Sequence, residues 1–380
     1  MNGKTYTGTV TLTEMNATLT AVEGLDVITN IAGHKVVYAE GVYKVAPLVY
    51  VAEVNGVKFE SIQEAVNAAN DGDTVTVIAC HELVCDVDPL ITISGKSITI
   101  DLNGKHVTAN AAAAQQTIRV VFKTAADGKL TMIDSVGTGS VIANGQGVLY
   151  YMFRNDGEMT IKSGNYELSG FDGGAMFYST NSNMLVEGGN FKQVTTGWMF
   201  NTVGNGAGNV ITVTGGTFNR YFIGGAAYNE NPYGEVMVPS IYTLSDNGNG
   251  TWSIVNAVCY DTNTGFGYET LAEAIAVTDR ITLVADVAED VELTKSITLD
   301  VNGCTYSGTV TLPSTDVTLT AVEGLNVITN IAGHKVVYAE GVYKAVAQVY
   351  VAQVNGEKFE SIQEAVLARI DTFFFFRWIL

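Results

Sequence analysis

The chain has few charged residues, few prolines and few cysteines for its length. Charged residues make up 16% of its 380 positions, and it contains 5 prolines and 4 cysteines. Because 47% of the residues are hydrophobic, the composition excludes intrinsic disorder, which requires a chain poor in apolar side chains. Four cysteines are too few to predict a disulfide framework, and their pairing stays open. They are Cys80, Cys85, Cys259 and Cys304.

Long apolar runs and a targeting segment are also missing. No stretch approaches the roughly 20 apolar residues of a membrane helix, so no membrane insertion is expected. Residues 2–6 are polar or small and do not form a signal peptide. The chain is instead rich in glycine, with 40 residues, and strongly acidic, with a net charge of −19. This charge disfavours nucleic acid as a partner and is typical of a surface protein that binds cations or neutral glycans.

The dominant feature of the sequence is a long internal repeat. Residues 2–66 recur as residues 302–366 without a gap, and 51 of the 65 positions are identical. A weaker copy of the repeat start lies between them, because Phe59–Ala65 resembles Tyr268–Ala274. Repeats at a fixed period indicate an array of similar units, so further copies of this chain in a longer tandem array are expected partners.

Each unit is predicted to open with a short helix and to close with a hairpin. A hydroxyl residue followed three positions later by glutamate predicts a capped helix start. The three pairs are Ser61 with Glu64, Thr270 with Glu273, and Ser361 with Glu364. Gly72 is expected to end the first helix in the left-handed conformation. The alternating residues Lys35–Val45 predict the closing hairpin.

These signals divide the chain into four parts. Residues 1–46 are interpreted as the C-terminal part of a preceding module with its hairpin, and residues 47–256 as a long module. Residues 257–345 are predicted to form a short module with its own closing hairpin. Residues 346–380 are interpreted as the truncated start of a next module with an aberrant apolar tail. Both ends are expected to be artificial or fragmentary, and the tail is expected to promote aggregation.

Two sets of strand-like phrases recur in step inside the long module. The first set comprises residues 96–100, 129–133, 158–162, 183–187 and 209–213. The second set consists of Met-Phe or Tyr-Phe pairs, which end at Phe153, Phe177, Phe200 and Phe222. Each set is spaced nearly evenly along the chain, and the spacing is similar in both. Two different strands with a common spacing predict an all-β solenoid, in which successive coils stack on one another.

Two segments resemble known families. The phrase Phe59–Val75 resembles the opening of pectin-lyase-like domains, and the hairpin Lys35–Val45 resembles spacers in large repetitive surface proteins of gut bacteria. The resemblance implies a right-handed parallel β-helix with short capping helices and closing hairpins. It also implies a bacterial protein located outside the cell or on its surface. It specifies function poorly, because this fold occurs in lyases, glycosidases, adhesins and phage spikes.

No catalytic residues, cofactor or metal site are predicted. Polygalacturonase-like members of the fold carry clustered aspartates and a histidine on adjacent coils, and this chain has no Asp-Asp pair. Arg154 with Asp156 and Lys162 is the one arrangement that could serve a lyase, and it is interpreted as a solvated turn. Residues 80–85 include three metal-capable side chains, but no second group supplies further ligands.

The feature that suggests binding is aromatic. Alternation along each Met-Phe strand predicts one row of side chains in the core and the other outside. If the phenylalanine row lies inside, flat aromatic and amide groups face outward and can suit a sugar ring. The predicted binding residues are Tyr150, Arg154, Tyr178, Asn201 and Tyr221.

The sequence therefore favours a non-catalytic, repetitive cell-surface array of the adhesin type. Its expected partners are glycans or other host or bacterial surface polymers. Two alternatives stay open: a polysaccharide lyase or glycoside hydrolase of the pectin-lyase-like fold, and a phage tail-fibre or spike component.

Overall fold

The computed structural model of the chain is nearly all β, with 49% of the residues in strands and 7% in helices. This confirms the predicted all-β class. The described residues are 5–84, 88–111, 119–145, 150–169, 174–180, 182–194, 197–203, 210–222 and 235–376. The chain divides into two compact units, which are Met1–Arg220 with Asn229–Met237, and Tyr221–Tyr228 with Val238–Leu380.

The first unit contains three long parallel sheets, and the chain passes through them in turn. The parallel strands of the first sheet are Thr74–Val77, Ser97–Asp101, Lys129–Ile133, Glu158–Ile161, Met184–Val186, Val210–Val213 and Glu235–Met237. Those of the second sheet are His81–Leu83, His106–Ala111, Ser140–Gly145, Asn165–Ser169, Asn190–Gln193 and Thr217–Phe218. Those of the third sheet are Ile91–Ile93, Arg119–Thr124, Tyr150–Asn155, Ala175–Thr180 and Trp198–Val203. Three consecutive strands, one in each sheet, are called a triplet below.

Like residues lie over like residues in this core. In the third sheet Phe122, Phe153, Phe177 and Phe200 lie opposite one another on successive strands. Their neighbouring rings are stacked with centroids 5.7, 5.6 and 5.1 Å apart. The rings of the second sheet meet this ladder edge-on, since Tyr166 lies 5.0 Å from Phe153. The three Met-Phe phrases therefore pair with one another, as their spacing predicted, and the stacked rings stabilise the interior. The fourth phrase, Tyr221–Phe222, lies outside any strand, so its predicted place in this ladder is wrong.

A glycine lies two positions before each aromatic residue of the second sheet, and steric constraints require it there. Gly189 has φ of +116°, and a Cβ atom there would lie 2.8 Å from Cζ of Phe191 and 3.1 Å from the carbonyl oxygen of Gly164. Only glycine fits both this conformation and this space. The same turn precedes Tyr166 and Phe218, so the recurring Gly-x-aromatic phrase sets where the chain enters the second sheet.

An opening hairpin and a helix cover the start of the first sheet. Strands Ala52–Val54 and Val57–Phe59 form the hairpin, whose first strand pairs antiparallel with Thr74–Val77. The helix Ile62–Ala68 begins at Ser61, whose hydroxyl accepts a hydrogen bond from the Glu64 N–H at 3.1 Å.

Gly72 does not end this helix, and that prediction is wrong. The helix ends at Ala68, and Ala69 is already extended. Gly72 has φ of +85° in the turn that follows. Its N–H donates to the carbonyl of Ser97 at 2.7 Å, so the glycine serves the connection to the next strand instead.

The closing hairpin predicted for Lys35–Val45 is confirmed. Strands His34–Ala39 and Val42–Pro47 pair antiparallel around a two-residue turn at Glu40 and Gly41. Both turn residues have positive φ, at 53° and 82°, which matches the twist of a tight hairpin. Three short strands precede the hairpin: Val10–Leu12, Thr18–Thr20 and Val27–Thr29.

The second unit repeats this plan with fewer strands. It begins with a hairpin of Tyr242–Asp246 and Trp252–Asn256. Further strands are Cys259–Asp261, Gly267–Tyr268, Arg280–Leu283, Val291–Glu292, Ile297–Asp300, Thr309–Leu312, Thr318–Thr320, Asn326–Thr329, His334–Ala339, Val342–Ala347, Ala352–Val354 and Glu357–Phe359. The helix Leu271–Val277 starts with a complete capping box of Thr270 and Glu273.

The last helix is longer than predicted. It spans Ile362–Phe376, whereas the repeat predicted a short helix like the one that opens the first copy. The side chains of the apolar tail, residues 370–380, lie outside the described part of the structure.

Candidate functional site

The third sheet carries two adjacent buried rows of side chains rather than one. Met152 and Phe153 are both fully buried, and so are the pairs 176–177 and 199–200. The prediction that alternation leaves one of these rows outside is therefore wrong. Tyr151 lies opposite Ala175 and Phe153 opposite Phe177, but the registered pairing of these two strands skips the residues between them. Because Met152 and Phe153 are neighbours in sequence and both are buried, the side chains here depart from the strict alternation of a regular strand.

A row of polar and aromatic side chains crosses four neighbouring strands beside the buried rows. Lys123 lies opposite Arg154, Arg154 opposite Tyr178, and Tyr178 opposite Asn201. Neighbouring strands are about 4.8 Å apart, so the row is roughly 14 Å long. These four residues are called the third-sheet row. The sequence pattern missed Lys123, because its strand has no Met-Phe pair to signal its place in the ladder.

A charged cluster surrounds Asp156 at one side of the row. Its Oδ1 lies 3.2 Å from Nε of Arg154, and its Oδ2 lies 3.5 Å from Nζ of Lys123. The Thr180 hydroxyl also donates to it. Burial by itself raises the pKa of Asp156, but the hydrogen bonds from Thr180 and Arg154 and the charges of Arg154 and Lys123 outweigh burial and lower that pKa. The ionised carboxylate therefore offsets one of the two neighbouring positive charges.

Two tyrosines form an aromatic pair at the same place. The rings of Tyr151 and Tyr178 are stacked, with centroids 4.3 Å apart and planes 23° apart. The guanidinium carbon of Arg154 lies 5.7 Å from the centroid of the Tyr178 ring. Burial raises the pKa of the Tyr151 hydroxyl, which keeps it protonated and able to donate at neutral pH. Strict alternation would place Tyr151 beside Phe153 in the core, which is why the sequence did not point to it.

The structure brings three of the five predicted binding residues into one row: Arg154, Tyr178 and Asn201. Asn201 lies deeper than expected, at 6% exposure, and its Oδ1 has no hydrogen-bond partner among the described residues. Tyr221 belongs to the second unit, where its ring lies 6.1 Å from that of Trp252. The side chain of Tyr150 lies outside the described part of the chain.

The arrangement that could serve a lyase is brought together only in part. Arg154 contacts Asp156, but Lys162 pairs with Glu187 at 3.5 Å on the first sheet. Within the described ranges, no three side chains of histidine, cysteine, aspartate or glutamate are grouped to hold a metal ion. Cys85, the last of the metal-capable residues in 80–85, lies outside those ranges.

The third-sheet row combines groups that suit a sugar. Aromatic rings can contact the apolar face of a pyranose, while guanidinium, ammonium and amide groups can hydrogen-bond to its hydroxyls.

The chain matches no protein-family model, and no curated protein or solved structure is significantly similar to it. Among the helices that the structure describes, none is long and apolar enough to span a membrane.

Proposed function

We propose that this chain is part of a non-catalytic, repetitive surface array with the architecture of a right-handed parallel β-helix. The support is the in-register parallel pairing across three sheets, the near-identical repeat, and a net charge of −19. In such an array each module stacks its strands on the next and presents a long, regular side face to the surroundings. The proposed location is extracellular or on a bacterial cell surface.

The proposed ligand is a glycan that lies along the third-sheet row. The observation that carries the proposal is the stacked pair of Tyr151 and Tyr178 beside Arg154, with ring centroids 4.3 Å apart. A row of roughly 14 Å can contact about three sugar units.

The test measures retention of the full chain on a glycan array. Tyr151→Ala and Tyr178→Ala are each expected to weaken retention about tenfold, because loss of one stacking ring removes on the order of 1–2 kcal/mol of binding free energy. Tyr50→Ala is the matched control, because it removes an exposed tyrosine that lies outside the third-sheet row.

The melting temperature distinguishes the outcomes. Tyr178 is half-buried, so Tyr178→Ala is expected to lower the melting temperature by only a few degrees. Unchanged retention of both variants, or equal losses for Tyr50→Ala, would contradict the glycan face.

A polysaccharide lyase is the second candidate, since Arg154 sits beside the ionised Asp156. Incubation with acidic and neutral polysaccharides, with and without calcium, tests this alternative. Turnover that disappears in Arg154→Ala but persists in Arg220→Ala would favour the lyase over the array. A phage tail-fibre or spike component is a further candidate with the same proposed architecture. Binding of the chain to intact cells, measured beside the glycan panel, tests this candidate.

A further inference from the structure

Beside the third-sheet row, a second line of residues crosses the same sheet. Tyr151 lies opposite Ala175, and Ala175 lies opposite Trp198. Each of the three directly precedes a Met-Phe pair, so the same position recurs on three neighbouring strands. These three residues are called the Tyr-Ala-Trp column. The column is parallel to the third-sheet row and lies three positions before it along each strand.

The Tyr-Ala-Trp column brings one large ring into contact with solvent. Trp198 is 37% exposed, and among the described side chains of the third-sheet strands it is the one exposed large hydrophobic group. The two residues that follow it, Met199 and Phe200, are fully buried. The buried pair therefore packs this strand onto the core, and the exposed part of the indole is accessible to a ligand.

The rings of the column lie at its two ends. Ala175, in the middle, is fully buried and has no ring. Neighbouring strands are about 4.8 Å apart, so the backbone positions of Tyr151 and Trp198 are roughly 10 Å apart on a line that crosses the strands. The ring of Tyr178 stacks on that of Tyr151 and enlarges the first aromatic position. The face thus offers two aromatic positions that are two strand spacings apart.

This spacing distinguishes glycans by their linkage. In an extended β-1,4-linked chain, successive pyranose rings are rotated by about half a turn, so every second sugar presents the same face to a flat surface. Sugars that face the same way recur at about the distance between Tyr151 and Trp198. An α-1,4-linked chain winds instead and soon leaves a straight line of rings. The column therefore suits the first and third sugars of a straight β-1,4-linked chain.

The charges around the column favour a neutral glycan. Lys123 and Arg154 lie beside the ionised Asp156, which leaves a local excess of one positive charge. The strands Ala175–Thr180 and Trp198–Val203 contain no charged residue. The chain as a whole has a net charge of −19 and repels an acidic polymer. The two cationic side chains can still donate hydrogen bonds to the hydroxyls of a neutral sugar.

We propose that the ligand of this face is a neutral, extended β-1,4-linked glycan and that Trp198 binds its third sugar. The inference rests on the proposed function and adds to it a linkage, a charge class and a binding residue. Tyr151 and Tyr178 contact the first sugar, the second spans Ala175, and Trp198 contacts the third. Arg154 donates hydrogen bonds to sugar hydroxyls from the side.

Titration calorimetry of the full chain with neutral oligosaccharides of increasing length tests the proposal. Cello-, xylo- and chito-oligosaccharides supply the β-1,4 linkage, malto-oligosaccharides the α-1,4 linkage, and oligogalacturonides an acidic chain. For at least one β-1,4-linked series, the largest gain in affinity is expected between the disaccharide and the trisaccharide. The gain is expected to be about tenfold, because the third sugar adds one stacking contact.

Four variants locate the source of this gain. Trp198→Ala is expected to weaken binding of the trisaccharide about tenfold and to leave the disaccharide nearly unchanged. Tyr178→Ala is expected to weaken both lengths, and Trp198→Phe, which retains a ring, is expected to keep most of the gain. Val194→Ala is the matched control, since Val194 is also an exposed apolar residue but lies outside the third-sheet strands.

Tryptophan fluorescence provides an independent readout. The chain contains three tryptophans, Trp198, Trp252 and Trp378. A bound β-1,4-linked trisaccharide is expected to shift the emission to shorter wavelength, because a sugar that covers the indole removes water from it. The shift is expected to be absent in Trp198→Phe, although this variant still binds. If far-UV circular dichroism shows that Trp198→Ala unfolds the chain, Trp198→Phe decides by this readout alone.

Three results would overturn the inference and leave the proposed glycan face standing. The first is equal affinity for α-1,4- and β-1,4-linked chains of the same length. The second is an acidic chain that binds more tightly than every neutral one. The third is Trp198→Ala with no more effect than Val194→Ala, while Tyr178→Ala still weakens binding. A chain that binds none of these oligosaccharides and none of the glycans on the array would overturn both the inference and the proposed ligand.

Discussion

The segment that opens each unit, called the opening segment, occurs at residues 51–66 and again at 351–366. These first and last copies have nearly the same sequence and very different surroundings. In the first copy the helix Ile62–Ala68 lies over the strands Thr74–Val77 and Ile91–Ile93. The side chain of Gln63 bonds to the backbone of Thr92, accepting at 2.6 Å and donating at 3.2 Å. In the last copy the helix contacts mainly its own hairpin among the described elements. The comparison separates what a segment does by itself from what its neighbours add.

The parts of the repeat that depend on near neighbours are the same in both copies. Ser61 and Ser361 accept from the N–H of Glu64 and Glu364, both at 3.1 Å. The burial of the apolar side chains is not the same, because in the first copy it depends on strands that have no counterpart beside the last copy among the described elements. The local hydrogen bonds are therefore determined by the nearby sequence, whereas the burial of the side chains is determined by the tertiary structure.

The largest effect is expected where the two copies differ most. Ile62→Ala should lower the free energy of unfolding of the first unit by about 2–5 kcal/mol, because it leaves a cavity under the helix. Ile362→Ala should change stability by less than about 0.5 kcal/mol, because its side chain is exposed. Urea denaturation followed by hydrogen exchange of peptides from each unit measures both values. Equal losses at the two positions would remove the difference on which the comparison rests.

A smaller effect, of equal size in both copies, is expected inside the closing hairpins. The Tyr43 hydroxyl accepts from the Leu25 N–H at 2.8 Å and donates to the Val22 carbonyl at 3.1 Å. Tyr343 makes the same two bonds, at 2.9 and 3.0 Å. Tyr43→Phe and Tyr343→Phe should each cost about 1 kcal/mol, because each leaves backbone groups without a partner. Local unfolding free energies from hydrogen exchange check this prediction. A loss at Tyr343 alone would mean that the first closing hairpin, His34–Ala39 with Val42–Pro47, is not folded in solution.

The smallest effect is expected at the ion pairs between each closing hairpin and the following opening segment. Lys35 pairs with Glu60, and Lys335 pairs with Glu360, and these side chains are partly exposed in both copies. Lys35→Met and Lys335→Met should each cost about 0.2–1 kcal/mol, and less at high salt. Thermal unfolding at low and high salt measures the effect. A loss above about 2 kcal/mol at either site would show that the ion pair holds neighbouring segments together more strongly than an exposed pair can.

The sequence predicted the features that depend on closely spaced residues. The closing hairpin followed from alternation around Glu40 and Gly41, and the helix starts followed from hydroxyl and carboxylate residues three positions apart. The parallel ladders followed from phrases that recur at nearly even spacing along the long module. Gly72 was misassigned, because a glycine with positive φ can serve a turn as well as a helix end. The extended conformation of Ala69 and the bond to Ser97 show that it serves the turn.

The candidate site was predicted less completely. Arg154 and Tyr178 were found by counting along a strand, but Tyr151 was missed because counting assumes unbroken alternation. The skipped pairing beside Met152 depends on how two strands meet, and no pattern within one strand records it. Lys123 was missed for a similar reason, since it joins the row only through its register with Arg154.

By itself the sequence determined the all-β fold class, the positions of most turns and helix caps, and the repeat that relates the parts of the chain. These features rest on conformational preferences and hydrogen bonds between residues a few positions apart. The tertiary structure alone decided which copies of the repeat are buried, that both the methionine and phenylalanine rows face the core, and which charges meet at Asp156. Those outcomes depend on strands that lie a whole triplet away along the chain or further. The same side chain can therefore be a core residue at position 62 and a surface residue at position 362.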